Sequence, residues 1–197
     1  MNRQTEDFMA SALSRIAAGA AHPHESAHLH VAGAATYVDD IPEIAGTLHA
    51  ALGLSTKAHA NVRSIDFSAV RAAPGVVAVL TAKDIPGPND CGPIIHDDPI
   101  LADGVVQYVG QPIFAVIARS YDAARKAARL AKIDYEVLPA VLTPQEAKRQ
   151  RLHVLPPMHL KRGSPEERLA NAPRRQRGEF YVGGQEQFYL EGQISYA

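Results

Sequence analysis

Val105 to Val137 reads VVQYVGQPIFAVIARSYDAARKAARLAKIDYEV, and this stretch decides the fold. It opens with strand material around Gly110-Gln111-Pro112 and stays apolar to Ala118. Ser120 begins a helix, in which Ala123, Ala124, Ala127, Ala128 and Ala131 give a small-residue surface able to lie close on a sheet. Arg125, Arg129 and Lys132 recur at helical spacing and form a solvated face. Ile133 to Val137 (IDYEV) returns as a strand, closed by Leu138-Pro139. The order is β–α–β. Upstream the same order occurs, with Thr47 to Ser55 (TLHAALGLS) as a strand and Phe67 to Ala73 as a short helix ended by Pro74-Gly75. Val76 to Thr81 (VVAVLT) follows as a continuous apolar run suited to a strand buried on both faces. Between the units, Lys83 to Asp103 is irregular and rich in proline. Two such units in succession, ending near residue 142, predict a compact α+β domain with helices covering a sheet.

The flanks read differently. Residues 1–23 form a poorly ordered lead-in with an alanine-rich helical stretch at Ser11 to Ala18. From His24 the chain is strand-like until the turn Asp39-Asp40-Ile41-Pro42. Residues 143–178 form a linker, with Thr143-Pro144 opening a helical turn and Pro156-Pro157, Gly163, Pro165 and Pro173 following. Residues 179–197 begin something new. From Phe188 to Ala197, Phe188, Leu190, Ile194 and Tyr196 alternate with Tyr189, Glu191, Gln193 and Ser195, a clean strand pattern. It breaks off in mid-strand at Ala197, which reads as truncation relative to a larger protein.

Composition narrows the class. The 197 residues are 46% apolar and 21% charged, as in a globular protein able to bury a proper core. No apolar run approaches the ~20 residues needed to span a bilayer, and Met1 to Ala21 makes no convincing signal peptide. Cys91 is the sole cysteine. It excludes an internal disulfide, a zinc ribbon and an iron–sulfur cluster within this chain, and a reducing cytoplasm is its natural setting. The net charge of −1 hides a basic stretch from Lys148 to Arg177, with nine basic residues against Glu166 and Glu167. That stretch is proline-rich and has no interleaved aromatic residue, so it reads as a solvated or partner-contacting linker rather than a nucleic-acid footprint.

Few residues carry chemistry by pattern. His22, His24, His28 and His30 crowd together, but Pro23 and the extended character of the stretch spoil a helical pair of ligands, and surface histidines are the plainer reading. Asp39 and Asp40 point opposite ways on an extended chain and suit turn capping better than acid–base work. No GxSxG, HExxH, Walker loop or dinucleotide fingerprint occurs. Gly183-Gly184-Gln185-Glu186 stands apart. Its glycines allow either a hairpin turn or a close approach of backbone to a ligand, with a polar pair just before a patterned strand.

Four stretches then point one way. GGQEQFYLEGQ (residues 183–193) closely resembles the GGQEHFYLE motif in the molybdenum-binding part of xanthine dehydrogenases and aldehyde oxidases. HESAHLHVAGAATYVDDIP (residues 24–42) resembles the start of that part. KAHANVRSIDFSAVRAAPGVVAVLTAKDIPG and VVQYVGQPIFAVIA resemble the body of the family's a/b hammerhead domain. The resemblance runs from His24 to Ala197. It implies a hammerhead domain over residues 24–142, followed after the linker by the first strands of an incomplete molybdopterin-binding domain over residues 179–197.

The family implies an oxidoreductase that hydroxylates an electron-poor carbon, as in hypoxanthine to xanthine to urate, at a molybdenum–molybdopterin cofactor. Electrons then pass through 2Fe-2S clusters and FAD to NAD. With Cys91 alone, clusters and FAD belong on a small partner subunit. The family's motif glutamine lies against the molybdenum and donates a hydrogen bond to an oxo ligand, a role that maps onto Gln185. Gly183 and Gly184 would let the backbone come close. Gln187 stands where the motif commonly has histidine. The resemblance assigns no catalytic base or substrate-orienting residue within this chain, and neither Glu186 nor Glu191 takes that part. Two other readings stay open. One is a molybdenum hydroxylase acting on an aldehyde or N-heterocycle, and the other is a non-catalytic hammerhead module that binds a partner subunit. Neither nucleic acid nor membrane is an expected partner.

Overall fold

In the computed structural model, residues 23–189 and 192–197 are described; the lead-in, its helical stretch and His22 lie outside them. One compact unit comprises residues 44–181, and a second combines the chain up to residue 43 with residues 182–197.

The first unit carries six strands in two three-stranded sheets: β1 (His49–Leu54), β2 (Ala60–Asp66), β3 (Val76–Thr81), β4 (Val105–Val106), β5 (Pro112–Ala118) and β6 (Lys132–Val137). One sheet has the order β1-β5-β3, the other β4-β2-β6, and every ladder is antiparallel. The α+β class is therefore present, but each expected β–α–β unit carries one strand more, β2 after β1 and β4 before β5. That order did not disclose the pairing. β1 and β3 flank β5 instead of touching, while β5 and β6 belong to different sheets.

Strand β5 (PIFAVIA) holds the central place because it is apolar at every position, and Ile113, Phe114, Val116 and Ala118 are buried. Burial on both faces was expected of Val76 to Thr81. That expectation is corrected: β3 is an edge strand, and its Val77 and Leu80 are exposed. Composition gives the run its strand character, while cover on each face depends on what packs above it. Strand β2, which pattern reading passed over, is the centre of the second sheet. Its apolar residues Ala60, Val62 and Ile65 are out of phase with a two-residue period, and a bulge between Val62 and Ser64 absorbs the extra residue.

Two helices cover this unit. Helix α2 (Ser68–Arg71) follows β2 and ends at its C-cap Ala72, short of the expected Ala73 and before Pro74-Gly75; Gly75 takes φ 81, a left-handed value that glycine adopts freely. Helix α3 (Tyr121–Ala128) is capped by Ser120, whose hydroxyl accepts from the Ala123 amide at 3.2 Å. Its buried Ala124 lies in a cluster with Ala51 and Ala118, while Arg125 and Lys126 face water. Small side chains let the helix axis come close to the sheet. The main core gathers Phe67, Val70, Val106, Ile113, Phe114 and Val116, with Phe67 and Phe114 edge to face at 4.9 Å.

A polar clip joins the end of β1 to the start of β5. The Ser55 amide donates to the Gln111 carbonyl and the Gly110 amide to the Ser55 carbonyl, both at 2.8 Å. The buried Gln111 side chain accepts from the Gln107 amide at 2.7 Å. Every buried group of this clip has a partner, so the turn costs the core little.

Further on, Thr143 caps helix α4 (Pro144–Gln150), as expected of Thr143-Pro144. Helix α5 (Pro165–Ala170) was not expected within the linker. The remainder of residues 151–181 lacks helix and strand and is almost wholly exposed.

In the second unit the extended reading from His24 is corrected. Residues Ala27–Ala32 form helix α1, with Ser26 at its N-cap and Gly33 in the left-handed region at its end. The Gly33 and Ala34 amides close it onto the His30 and Leu29 carbonyls. Asp40 does turn chemistry, accepting from the Tyr37 amide at 3.0 Å beside a short 3-10 turn, Val38–Asp40. The strand expected over Phe188 to Ala197 is corrected too, since no strand occurs among its described residues. Alternation sets which side chains would share a face, but a strand exists only through a ladder to a neighbour. Phe188, at φ 54, is not extended at all.

Candidate functional site

The residues singled out for cofactor contact lie in an open stretch of the second unit. Gly183, Gly184 and Gln185 carry no helix or strand assignment, and all three are exposed. A Cβ built on either glycine would meet nothing within 4 Å. Among the described residues, no side chain occupies the space beside this backbone, and Gln185 has no hydrogen-bond partner. The neighbours Val182, Phe188 and Tyr189 are exposed as well. The stretch offers one neutral amide that can donate and accept, plus freely approachable main chain. Between residues 182 and 189 it holds no cation, thiol or hydroxyl other than the Tyr189 phenol. Glu186 is its one charge between residues 182 and 189.

Other polar groupings have structural work. In the loop between β3 and β4, the Asp90 carboxylate accepts from the Gly92 amide at 2.9 Å, the Asp98 amide at 3.3 Å and the His96 ring at 2.5 Å. The Gly92 bond above all, with help from His96 and Asp98, holds the Asp90 carboxyl below the usual carboxylate range. Asn89 grips Leu101 twice, donating to its carbonyl at 2.7 Å and accepting from its amide at 3.0 Å. Cys91 donates through sulfur to the Asp98 carbonyl, and reduced solvation beside Asp98 pushes its thiol up. Such a thiol is a poor nucleophile. Sequence reading saw this loop only as irregular, because its order comes from side chains gripping backbone up to a dozen positions away.

An open groove of about 640 Å³ is lined by Ala58, His59, Gln107, Tyr108, Val141 and Leu142 among others. His59 donates from its ring to the Pro139 carbonyl at 2.7 Å, so its imidazole is a bracket between β2 and the end of β6. No carboxylate faces it within that lining. His24 and His30 approach edge to face at 6.3 Å, and His30 bonds the Tyr37 hydroxyl at 3.2 Å. Among the described residues no group of three or more His, Cys, Asp or Glu side chains gathers as a metal would require. Nor is any helix among them long and apolar enough to cross a membrane.

Residues 32–139 match the family model described as aldehyde oxidase and xanthine dehydrogenase, a/b hammerhead domain. The chain belongs to this family. Xanthine dehydrogenase of Oryza sativa subsp. japonica is 44% identical over 173 residues, which is 86% of this chain and 13% of the rice protein. Xanthine dehydrogenase/oxidase of Mus musculus is 41% identical over 169 residues, again 86% of this chain and 13% of that one. Among solved structures, the aldehyde oxidoreductase of Desulfovibrio desulfuricans superposes with a TM-score of 0.58 at 35% identity. It covers 66% of this chain and 16% of its own. The hammerhead chain thus spans about an eighth of the dehydrogenases that it matches. The identity to them extends over more residues than the hammerhead match alone.

Proposed function

We propose that this chain is the hammerhead region and the leading edge of the molybdenum-binding part of a xanthine dehydrogenase-type hydroxylase. One observation carries the reading: 44% identity to a xanthine dehydrogenase over 173 residues, beyond the residues matched as hammerhead. The whole enzyme converts hypoxanthine and xanthine to urate, and a small FAD and 2Fe-2S subunit passes the electrons to NAD. Molybdenum–molybdopterin, when bound, supplies the redox centre at which a carbon is hydroxylated. The residues present fit one edge of that group. Gly183 and Gly184 leave main chain open to a ligand, and the Gln185 amide can donate to an oxygen acceptor without adding charge to a centre that changes oxidation state. Catalytic residues are expected outside these 197 residues, and the chain by itself is expected to turn nothing over.

A second reading has support of its own, because the solved neighbours include aldehyde oxidoreductases and quinoline 2-oxidoreductase. In it the substrate is an aldehyde or another N-heterocycle. The match to xanthine dehydrogenases over 85% or more of the chain, at up to 44% identity, favours purines.

The test begins with the coding DNA downstream of Ala197, read in all frames. Several hundred further residues of the molybdenum-binding part are expected. The assembled gene, expressed with the small subunit, should contain molybdenum and form urate from xanthine. In that protein, Gln185→Ala should lower turnover while molybdenum content holds. A stop codon with no continuation in any frame would overturn the reading and leave a partner-binding module.

A further inference from the structure

Residues 159–168 read HLKRGSPEER, and every one of them is exposed. Ser164 stands in the middle, with Lys161 and Arg162 before it and Pro165 after it. It occupies the N-cap of α5, where a serine side chain ordinarily accepts from the helix, yet it makes no such bond. Among the described residues its hydroxyl has no hydrogen-bond partner. The other described serines are engaged or lack these neighbours. The hydroxyls of Ser26, Ser55 and Ser68 bond His24, the Lys57 carbonyl and Asp66, and Ser120 caps α3. Ser64 lies within β2, and Ser195 follows Gly192-Gln193-Ile194, which holds no cation. Little holds the backbone around Ser164. The residues before it have no helix or strand, and α5 buries none of its own. Such a chain opens into an extended form at small cost. One ion pair brackets the serine: Lys161 reaches past it to Glu166 at 2.9 Å. That bond holds the Glu166 carboxyl below the ordinary carboxylate range.

We infer that Ser164 is a phosphorylation site, modified by a serine kinase that accepts proline after the serine and reads the two cations before it. The inference stands apart from the proposed function. Pro165 has no backbone N–H, so the kinase groove must be one that needs no donor there. Lys161 and Arg162 suit a groove with acidic walls, since charge pattern is a common means of kinase selection. In the reaction the Ser164 oxygen bonds the γ-phosphorus of ATP while the bond from that phosphorus to the bridging oxygen breaks. ADP leaves, and the hydroxyl proton passes to the catalytic aspartate of the kinase. The product carries a charge of about −1.5 to −2 at pH 7 and three strong acceptor oxygens. It lies between Lys161 and Glu166 in the chain, and the two respond oppositely. Lys161 leaves Glu166 for the phosphate, while Glu166 is left beside a like charge. The modification is thus an exchange of ion-pair partners within the basic stretch.

The experiment incubates the full chain with ATP and a proline-directed serine kinase that selects basic residues upstream, and maps the product by tandem mass spectrometry. One phosphoryl group is expected, on Ser164. Ser164→Ala should take up none, and Lys161→Ala with Arg162→Ala should slow the reaction severalfold. These residues belong to no buried cluster, so the variants keep the fold. Phosphate on another residue, or equal uptake by Ser164→Ala, would overturn the inference. The Glu166 carboxyl, titrated by NMR, reads the exchange of partners. Its midpoint should lie low in the unmodified chain and move up on phosphorylation, whereas in Lys161→Ala it should be raised from the start. A midpoint that phosphorylation leaves unmoved would show that Lys161 stays on Glu166 and that no exchange occurs. The protein isolated from its own cells with phosphatases inhibited should yield the same phosphopeptide. Its absence there would reduce Ser164 to a substrate in the test tube and end the proposal.

Discussion

Gly53 shows how far a single residue can be read from sequence and where reading stops. TLHAALGLS has the look of a strand, and β1 is one. Nothing local explains a glycine in it, since glycine weakens strands. Across the ladder, Gly53 pairs with Phe114, and a Cβ at position 53 would fall 2.0 Å from the ring's Cζ. The ring lies over the glycine and meets Phe67 edge to face behind it. The glycine is there for space, not for φ. Gly53→Ala should therefore cost about 1–3 kcal/mol, the usual penalty for overpacking, seen as a lower urea midpoint at unchanged slope. Gly178→Ala, with nothing within 4 Å, should leave the midpoint where it is. Equal midpoints for wild type and Gly53→Ala would show that the ring yields. Gln185 is the opposite case. Its role was legible only through a motif shared with relatives, because an exposed amide on open backbone has no local signature.

Elements were legible where their signals are local. Helix α3 announces itself by Ser120 and its alanine face, and α2 by Pro74-Gly75. Helix α1 is bracketed by Ser26 and Gly33, but it is six residues long and buries none of them, so no apolar periodicity marks it. β2 was hidden by a bulge, and among the described residues of the alternating tail no strand ladder forms. The loop between β3 and β4 is ordered by Asp90, and this carries a pH prediction. Its carboxyl is held below the ordinary range in the folded chain, mainly by the Gly92 amide. Its contribution is thus present above the unfolded carboxyl range and is lost as pH falls through the lowered folded value. The protection of the Gly92 and Asp98 amides, measured by NMR as exchange relative to an unstructured amide at the same pH, should be high near neutrality and fall severalfold only in acid. In Asp90→Ala both amides should lack this protection at every pH. If the alanine variant kept its protection, the carboxylate would not be what orders the loop.

At the scale of the whole chain, composition and patterning separate a packed region from a basic one, and the two should differ sharply toward a protease. Residues 44–142 hold both sheets and the buried clusters, and their arginines and lysines lie mostly on strands, helices or turns beside them. From Arg151 to Tyr181 the backbone bonds are few, with α5 the only helix, and Arg162, Arg174, Arg175 and Arg177 stand exposed on irregular chain. Cleavage requires an extended segment to open into the protease, which is cheap where few contacts hold the backbone and dear inside a sheet. Brief trypsin treatment should therefore cut after Arg174, Arg175 and Arg177, with Arg151 and Arg162 following. A product ending between residues 148 and 151 should persist, identified by intact mass. It should retain the far-ultraviolet dichroism of the sheets and the exchange protection of β5, since no buried cluster includes a residue beyond 142. Early cuts at Arg63 or Arg71 would mean instead that the buried clusters do not hold the two sheets as one body, and that the sheets open as readily as the basic stretch.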